Sequence, residues 1–162
     1  MTTVAGRPMW LPFAALAGGV LAADQLSKAW LTSFLDPGRS TSVVGDLVRF
    51  VHSRNSGGLF GLLSGQAVPF ALLSLVVVGA IVVYHGRAGR DPLLTLTLGL
   101  LLGGALGNLT DRLRIGYVVD WVDAGIGDVR WYTFNVADAA ISLSIVLLLW
   151  AAIRPMVGRW GR

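Results

Sequence analysis

Apolar residues fall along this chain in four long stretches, set apart by shorter polar or mixed segments. They run from Met9 to about Leu31, from about Ala67 to Tyr84, from Pro92 to Thr110, and from about Val136 to Ile153. Each comes close to the roughly 20 residues that a helix needs to cross the hydrocarbon core of a bilayer. The second and third carry no charge, the first is interrupted only late by Asp24 and Lys28, and the fourth has Asp138 in its first turn. The pattern predicts an all-α integral membrane protein of four transmembrane helices, forming one membrane-embedded domain over residues 1–162. A cleavable leader is the rival reading of the first stretch, with Arg7 as its charged start and Leu21-Ala22-Ala23 as the small-residue site. Its apolar core is long for a leader, and Asp24 has a better use beyond the supposed cut.

The connections differ in character. His85 to Asp91 is a short link, whereas 32–66 and 111–135 are longer and share the opposite side. Ser42 to Val51 (SVVGDLVRFV) is rich in β-branched residues and partly alternating, which predicts a short strand and so a small β-containing segment on that side. Gly57, Gly58, Gly61 and Gly65 break up the approach to the second helix. Gly99, Gly103 and Gly107 recur at i, i+4 and i+8 on the third, beside Gly104, and predict close helix packing through small residues.

Composition agrees with the pattern and then adds direction. The 162 residues are 54% hydrophobic and 14% charged, with mean hydropathy +0.68, against about a quarter charged in soluble domains. The net charge of +4 comes without a basic stripe or aromatic-basic interleaving, so nucleic acid is not the expected partner. In so apolar a chain the basic excess reads as orientation charge. Arg7, Arg87, Arg90, Arg154, Arg159 and Arg162 fall on the side of the termini, with Asp91 alone among the nine aspartates. As many basic residues lie on the other side, but mixed with the remaining aspartates, so the termini are expected to be cytoplasmic.

The absence of cysteine removes disulfides, thiolate metal sites and a Cys nucleophile together. With no HExxH and only His52 and His85, a zinc protease is not expected either. The stretch 61–65 (GLLSG) has the wrong glycine spacing for a serine elbow, and Gly125-Ile126-Gly127-Asp128 matches a GxGD string but sits in a polar turn. Asp123 and Asp128 are therefore expected to be solvated loop residues.

Ionisable residues in or at the edge of a span are costly, which makes them functional candidates. Here they gather at the outer ends of three helices: Asp24 and Lys28 one turn apart, Asn108, Asp111 and Arg112 closing the third helix, Asn135 and Asp138 opening the fourth. Taken singly each has a structural explanation. Asp24 and Lys28 can pair, Arg112 suits a helix C-terminus, and Asn135 with Asp138 makes an N-cap and its N3 acid. Asp120 is harder to explain so. If YVVDWV is extended, its carboxylate shares a face with Val118 and Val122 and should resist ionising, while Asp138 at a helix N-terminus should ionise easily. Two carboxylates with opposed tendencies suit an aspartyl protease, one as base for water and the other as acid. The 17 residues between them are enough to bring the two together. A transporter or channel would need polar or broken-helix features near mid-membrane, where helices two to four offer only glycines and hydroxyls.

These residues form an ordered set. DQLSK, NSGGLFGLL, GGALGNLTDR, GYVVDWV and FNVADAAI resemble the successive boxes of the lipoprotein signal peptidase family (signal peptidase II), in order and over most of the chain. The resemblance implies an aspartyl endopeptidase of the bacterial inner membrane, acting without metal or cofactor as a monomer. Such enzymes remove the signal peptide of a prolipoprotein just before its diacylglyceryl-modified cysteine, among membrane lipids. It implies Asp120 and Asp138 as the catalytic pair. Asp24, Lys28, Asn55, Asn108, Arg112, Asn135 and Ala137 are implied as the surrounding site positions, and Asp111 as a structural partner. Trp121, where phenylalanine is usual, and Gly58-Leu59 depart from the family pattern without touching that pair.

Overall fold

The computed structural model describes residues 6–57 and 67–157. Among them are four long helices, α1 (Trp10–Thr32), α2 (Ala67–Arg87), α3 (Pro92–Ile115) and α4 (Val136–Val157). Four strands, β1 (Ser40–Val44), β2 (Val48–Asn55), β3 (Val118–Ile126) and β4 (Val129–Arg130), form one antiparallel sheet in the order β1-β2-β3-β4. The glycines at 58, 61 and 65, and Leu59, lie outside the described residues, as do Arg159 and Arg162.

Three helices among the described residues are long and apolar enough to cross a membrane: Val68–Arg87, Pro92–Ile115 and Val136–Ile153. α1 matches them in length, but its polar turn from Asp24 to Lys28 lowers its average hydropathy. It runs unbroken through Leu21-Ala22-Ala23 and packs into the bundle on both sides of that site, through Phe13 and Ala17 before it and Asp24 and Lys28 after it. α3 extends five residues past the apolar stretch that announced it. Asp91 starts it, accepting the Leu94 N–H at 3.0 Å with Pro92 behind it, and Gly116 ends it in the left-handed region at φ 78°.

α3 is the central helix, packed against α1, α2 and α4. Its glycines set the separations. A Cβ on Gly103 would stand 2.6 Å from Val20 Cβ and 2.7 Å from the Ala17 carbonyl of α1, and one on Gly104 2.6 Å from the Ala137 carbonyl of α4. Adjacent glycines thus admit two different helices, as small-residue packing in membranes requires. Away from the sheet, Phe13, Ala17, Ile81, Leu98 and Leu102 join α1, α2 and α3 in an apolar core.

The β segment is larger than the single strand expected from Ser42 to Val51. Gly45, at φ 50°, turns the chain there and divides the stretch into the β1–β2 hairpin. A further correction concerns Asp123. It is not a solvated loop residue: β3 continues through it, it is only 8% exposed, and Arg130 donates Nε–H to both its oxygens at 2.8 Å. Asp128 does lie exposed in the turn to β4. Arg130 also reaches the Asp46 carbonyl at 2.9 Å, and Asp46 accepts the Gly127 N–H at 2.7 Å, so the two hairpin tips are tied together.

Candidate active site

The site lies where the sheet meets the ends of α1, α3 and α4. β3 is extended, so alternate residues point to opposite faces. Val118 and Asp120 share the face turned toward α4, and Asp120 is only 1% exposed. On the same face of β2, Ser53 pairs with Asp120 and Asn55 with Val118. After β4 the chain returns along β3: Phe134 and Val122 exchange backbone hydrogen bonds at 2.8 and 3.0 Å. That pairing delivers Asn135, and with it the start of α4, next to Asp120.

Asn135 and Asp138 then form a reciprocal cap. Asn135 Oδ1 accepts the Asp138 N–H at 2.9 Å, and Asp138 Oδ2 accepts the Asn135 N–H at 3.3 Å. The cap is also part of the site, because Asn135 Nδ2 donates to Asp120 Oδ1 at 2.7 Å. Asp120 Oδ2 accepts from Asn55 Nδ2 at 3.0 Å, and Asp138 Oδ1 accepts from Asn108 Nδ2 at 2.8 Å. Each carboxylate is thus fixed by two donors, and Asn135 touches both.

Behind them lies a buried ionic layer. Lys28 Nζ stands 2.8 Å from both Asp24 Oδ2 and Asp111 Oδ2, and donates to Asn108 Oδ1 at 3.3 Å. An ammonium only donates, so it faces the Asn108 oxygen and leaves the Asn108 NH2 to face Asp138. Asp24 Oδ1 accepts the Ala137 N–H at 3.0 Å, placing a negative charge at the start of α4, where the helix dipole favours one. Asp111 Oδ2 accepts the Val119 N–H at 3.1 Å, which fixes β3 beside α3. Ala137 is fully buried, its methyl 3.2 Å from where a Cβ on Gly107 would stand, so nothing larger fits there.

Arg112 acts as a tether. Its Nη2 donates to the Gly57 carbonyl at 2.9 Å and its guanidinium lies over the Phe70 ring at 5.6 Å, joining the end of β2, α3 and α2. All the residues singled out in the sequence converge here. Gln25 is the addition: its amide donates to Asp111 Oδ1 at 2.9 Å and to the Gly107 carbonyl at 3.3 Å. Its position one turn from Lys28, on the face toward α3, was the available signal.

Burial first, and then the nearby Asp138 carboxylate, push the Asp120 carboxyl up from 3.8 to about 7, against the pull of its Asn55 and Asn135 donors. Asp138 opens onto a groove of about 540 Å³ between α2, α3, α4 and the 131–134 segment. Its walls are mainly apolar (Phe70, Leu73, Val77, Leu101, Ile141, Phe134), with Asn55, Asn108, Arg112 and Asp138 at the polar end. Among the described residues no trio of acidic or histidine side chains converges as a metal site.

A buried carboxylate pair at one end of an apolar groove in a membrane-type helix bundle belongs to the class of membrane-embedded acid–base hydrolases. The comparisons narrow that class. Residues 16–154 match the signal peptidase (SPase) II family. A lipoprotein signal peptidase of Moorella thermoacetica is 42% identical over 94% of this chain and 99% of its own length, and one of Syntrophomonas wolfei 39% over 80% and 85%. Two solved bacterial membrane enzymes, determined by the in meso method, superpose with TM-scores of 0.86 and 0.82 at 26% and 27% identity. They cover 94% and 93% of this chain, and 94% and 97% of their own. The chain belongs to the signal peptidase II family of aspartic peptidases.

Proposed function

We propose that Asp120 and Asp138 are the catalytic pair with which this chain removes signal peptides from prolipoproteins, cutting before a diacylglyceryl-modified cysteine. The observation that carries the reading is the asymmetry of two buried carboxylates joined through Asn135. Both have donors on both oxygens, but Asp138 alone sits at a helix N-terminus, whose dipole favours the ionised base. Asp120, raised toward neutrality by burial, suits the acid. Asp138 takes a proton from water as the water oxygen bonds to the scissile carbonyl carbon, and the Asp120 proton passes to the carbonyl oxygen. Collapse of that adduct breaks the C–N bond as Asp138 returns its proton to the leaving nitrogen, and Asp120 recovers its own from the hydroxyl. Asn108, Asn135 and Asn55 hold the pair, while Asp24, Lys28, Asp111 and Arg112 hold the asparagines and the backbone around it.

The groove suits a signal peptide arriving within the membrane, since its walls are apolar and its polar end includes Asp138. We further propose that the chain acts as a monomer. We also assign α1 as a fourth span, with both termini cytoplasmic and the sheet outside.

The test is processing of a diacylglyceryl prolipoprotein by Asp120→Asn and Asp138→Asn in micelles. General acid–base catalysis is worth about 10²–10⁴ in rate, so each variant should process at least about 100-fold more slowly while remaining folded. Parent-like processing by either would remove that residue from the pair.

A further inference from the structure

A second cavity, of about 300 Å³, lies behind the sheet on the face turned away from the groove, between the ends of α1 and α3 and strand β2. Lys28 and Asp111 form part of its wall, but all three Lys28 N–H groups already face Asp24, Asp111 and Asn108. His52 behaves differently. It is 6% exposed, and its Nδ1 lies 2.7 Å from the Leu35 carbonyl, an oxygen that only accepts, so Nδ1 carries the hydrogen. Nε2 is then an acceptor, buried and without a partner among the described residues. Leaving such an atom unpaired costs its desolvation with no hydrogen bond in return. At the rim, Arg114 is exposed and pairs with no carboxylate among the described residues.

We infer that this cavity binds a phospholipid headgroup that ends in an N–H donor, with its ammonium toward His52 Nε2 and Asp111 and its phosphate on Arg114. The Asp111 carboxylate disfavours a bare anion at depth, and the guanidinium at the rim disfavours a bare cation there. A headgroup with its ammonium and its phosphate a few bonds apart satisfies both. The source is a lipid, because exposed apolar side chains adjoin the lining: Ile115 is part of it, Leu113 precedes Arg114 on α3, and Leu26 and Trp30 follow the lining residues Gln25 and Ala29 on α1. The inference rests on the reading that these ends of α1 and α3 reach a membrane surface.

The test uses the full chain in micelles supplemented with phosphatidylethanolamine or phosphatidylcholine, which share the phosphate but not the N–H donor. Retained lipid is counted by native mass spectrometry. The ethanolamine lipid should be retained about tenfold more than the choline lipid. His52→Asn keeps a donor for the Leu35 carbonyl and deletes the Nε2 acceptor, while Arg114→Gln removes the charge. Each should lower ethanolamine-lipid retention about tenfold, the loss of one charge-assisted contact, with an unchanged unfolding midpoint. Equal retention of the two lipids, or parent-like retention by both variants, overturns the proposal. Retention does not require peptidase activity, so failure of the dyad assignment would show separately in the Asp120→Asn and Asp138→Asn processing rates.

Discussion

In the proposed mechanism Asp120 links the chemistry to stability through one proton. Between the ordinary value of 3.8 and the raised one of about 7, the folded protein keeps a proton that the unfolded chain has lost. Stability therefore falls as pH rises through that window and levels off above it, by up to about 4 kcal/mol for a shift of this size. Asp120→Asn has no such proton, so its unfolding midpoint in micelles should lack that part of the decline between pH 4.5 and 7.5. Parallel curves for parent and variant would show that Asp120 titrates normally. In the proposed reaction the same proton is the one donated, so processing should weaken as pH rises above about 7. Lys28 makes the opposite case. It neutralises two buried carboxylates, and breaking a buried pair by removing one partner costs about 3–5 kcal/mol. Lys28→Met should therefore fail by loss of folded protein, seen as a lowered unfolding midpoint, whereas Asp138→Asn should fail only in processing. A stable, inactive Lys28→Met protein would instead give Lys28 a direct part in the reaction.

Among the helices, the separation of α3 from α4 sets the geometry of the pair, because Asn108 on one holds Asp138 on the other. Gly104 fixes that separation: a Cβ there would stand 2.6 Å from the Ala137 carbonyl and 2.8 Å from Ile141 Cγ1. Gly104→Ala should push the helices apart, costing about 1–3 kcal/mol and lowering processing more than about tenfold. Gly79→Ala, with nothing within 4 Å of the new methyl, should leave processing unchanged and gain helix stability. Equal behaviour of the two alanine variants would detach the glycine contacts from the site. The glycine spacing and the four apolar stretches were legible in the sequence because helix periodicity and bilayer thickness act locally. Which helix each glycine admits was not, since Gly103 and Gly104 are neighbours that face α1 and α4 respectively. The β hairpin was half legible: Ser42 to Val51 reads as one strand, because the turn at Gly45 hides inside a β-branched run. Asp123 was misread because DAGIGDVR has the composition of a turn, although only Gly127 and Asp128 make one and the strand carries Asp123 onto Arg130.

Among the described residues, the buried ion pairs lie at one end of the bundle, beside the sheet, and Arg87 and Arg90 stand at the other. α1 is not among the helices that pass for spans on length and hydropathy alone, yet its polar turn does not face lipid. Asp24 is fully buried and Lys28 nearly so, both within the bundle, while Leu11, Leu26 and Trp30 take the exposed side. An average along a one-faced helix understates how well it suits a bilayer once its polar residues are paired. α1 should therefore cross, placing Arg7 and Arg90 inside and Asp36 and Asp128 outside. All four are exposed, and the chain has no cysteine of its own, so single substitutions to cysteine report each position without background. A membrane-impermeant thiol reagent applied to intact cells, with any outer membrane permeabilised, should label Asp36→Cys and Asp128→Cys. It should reach Arg7→Cys and Arg90→Cys only after lysis. Labelling of Arg7→Cys and Asp36→Cys from the same side would mean that α1 does not span. Labelling of Arg90→Cys but not Asp128→Cys in intact cells would turn the whole molecule over and place the carboxylate pair on the cytoplasmic face.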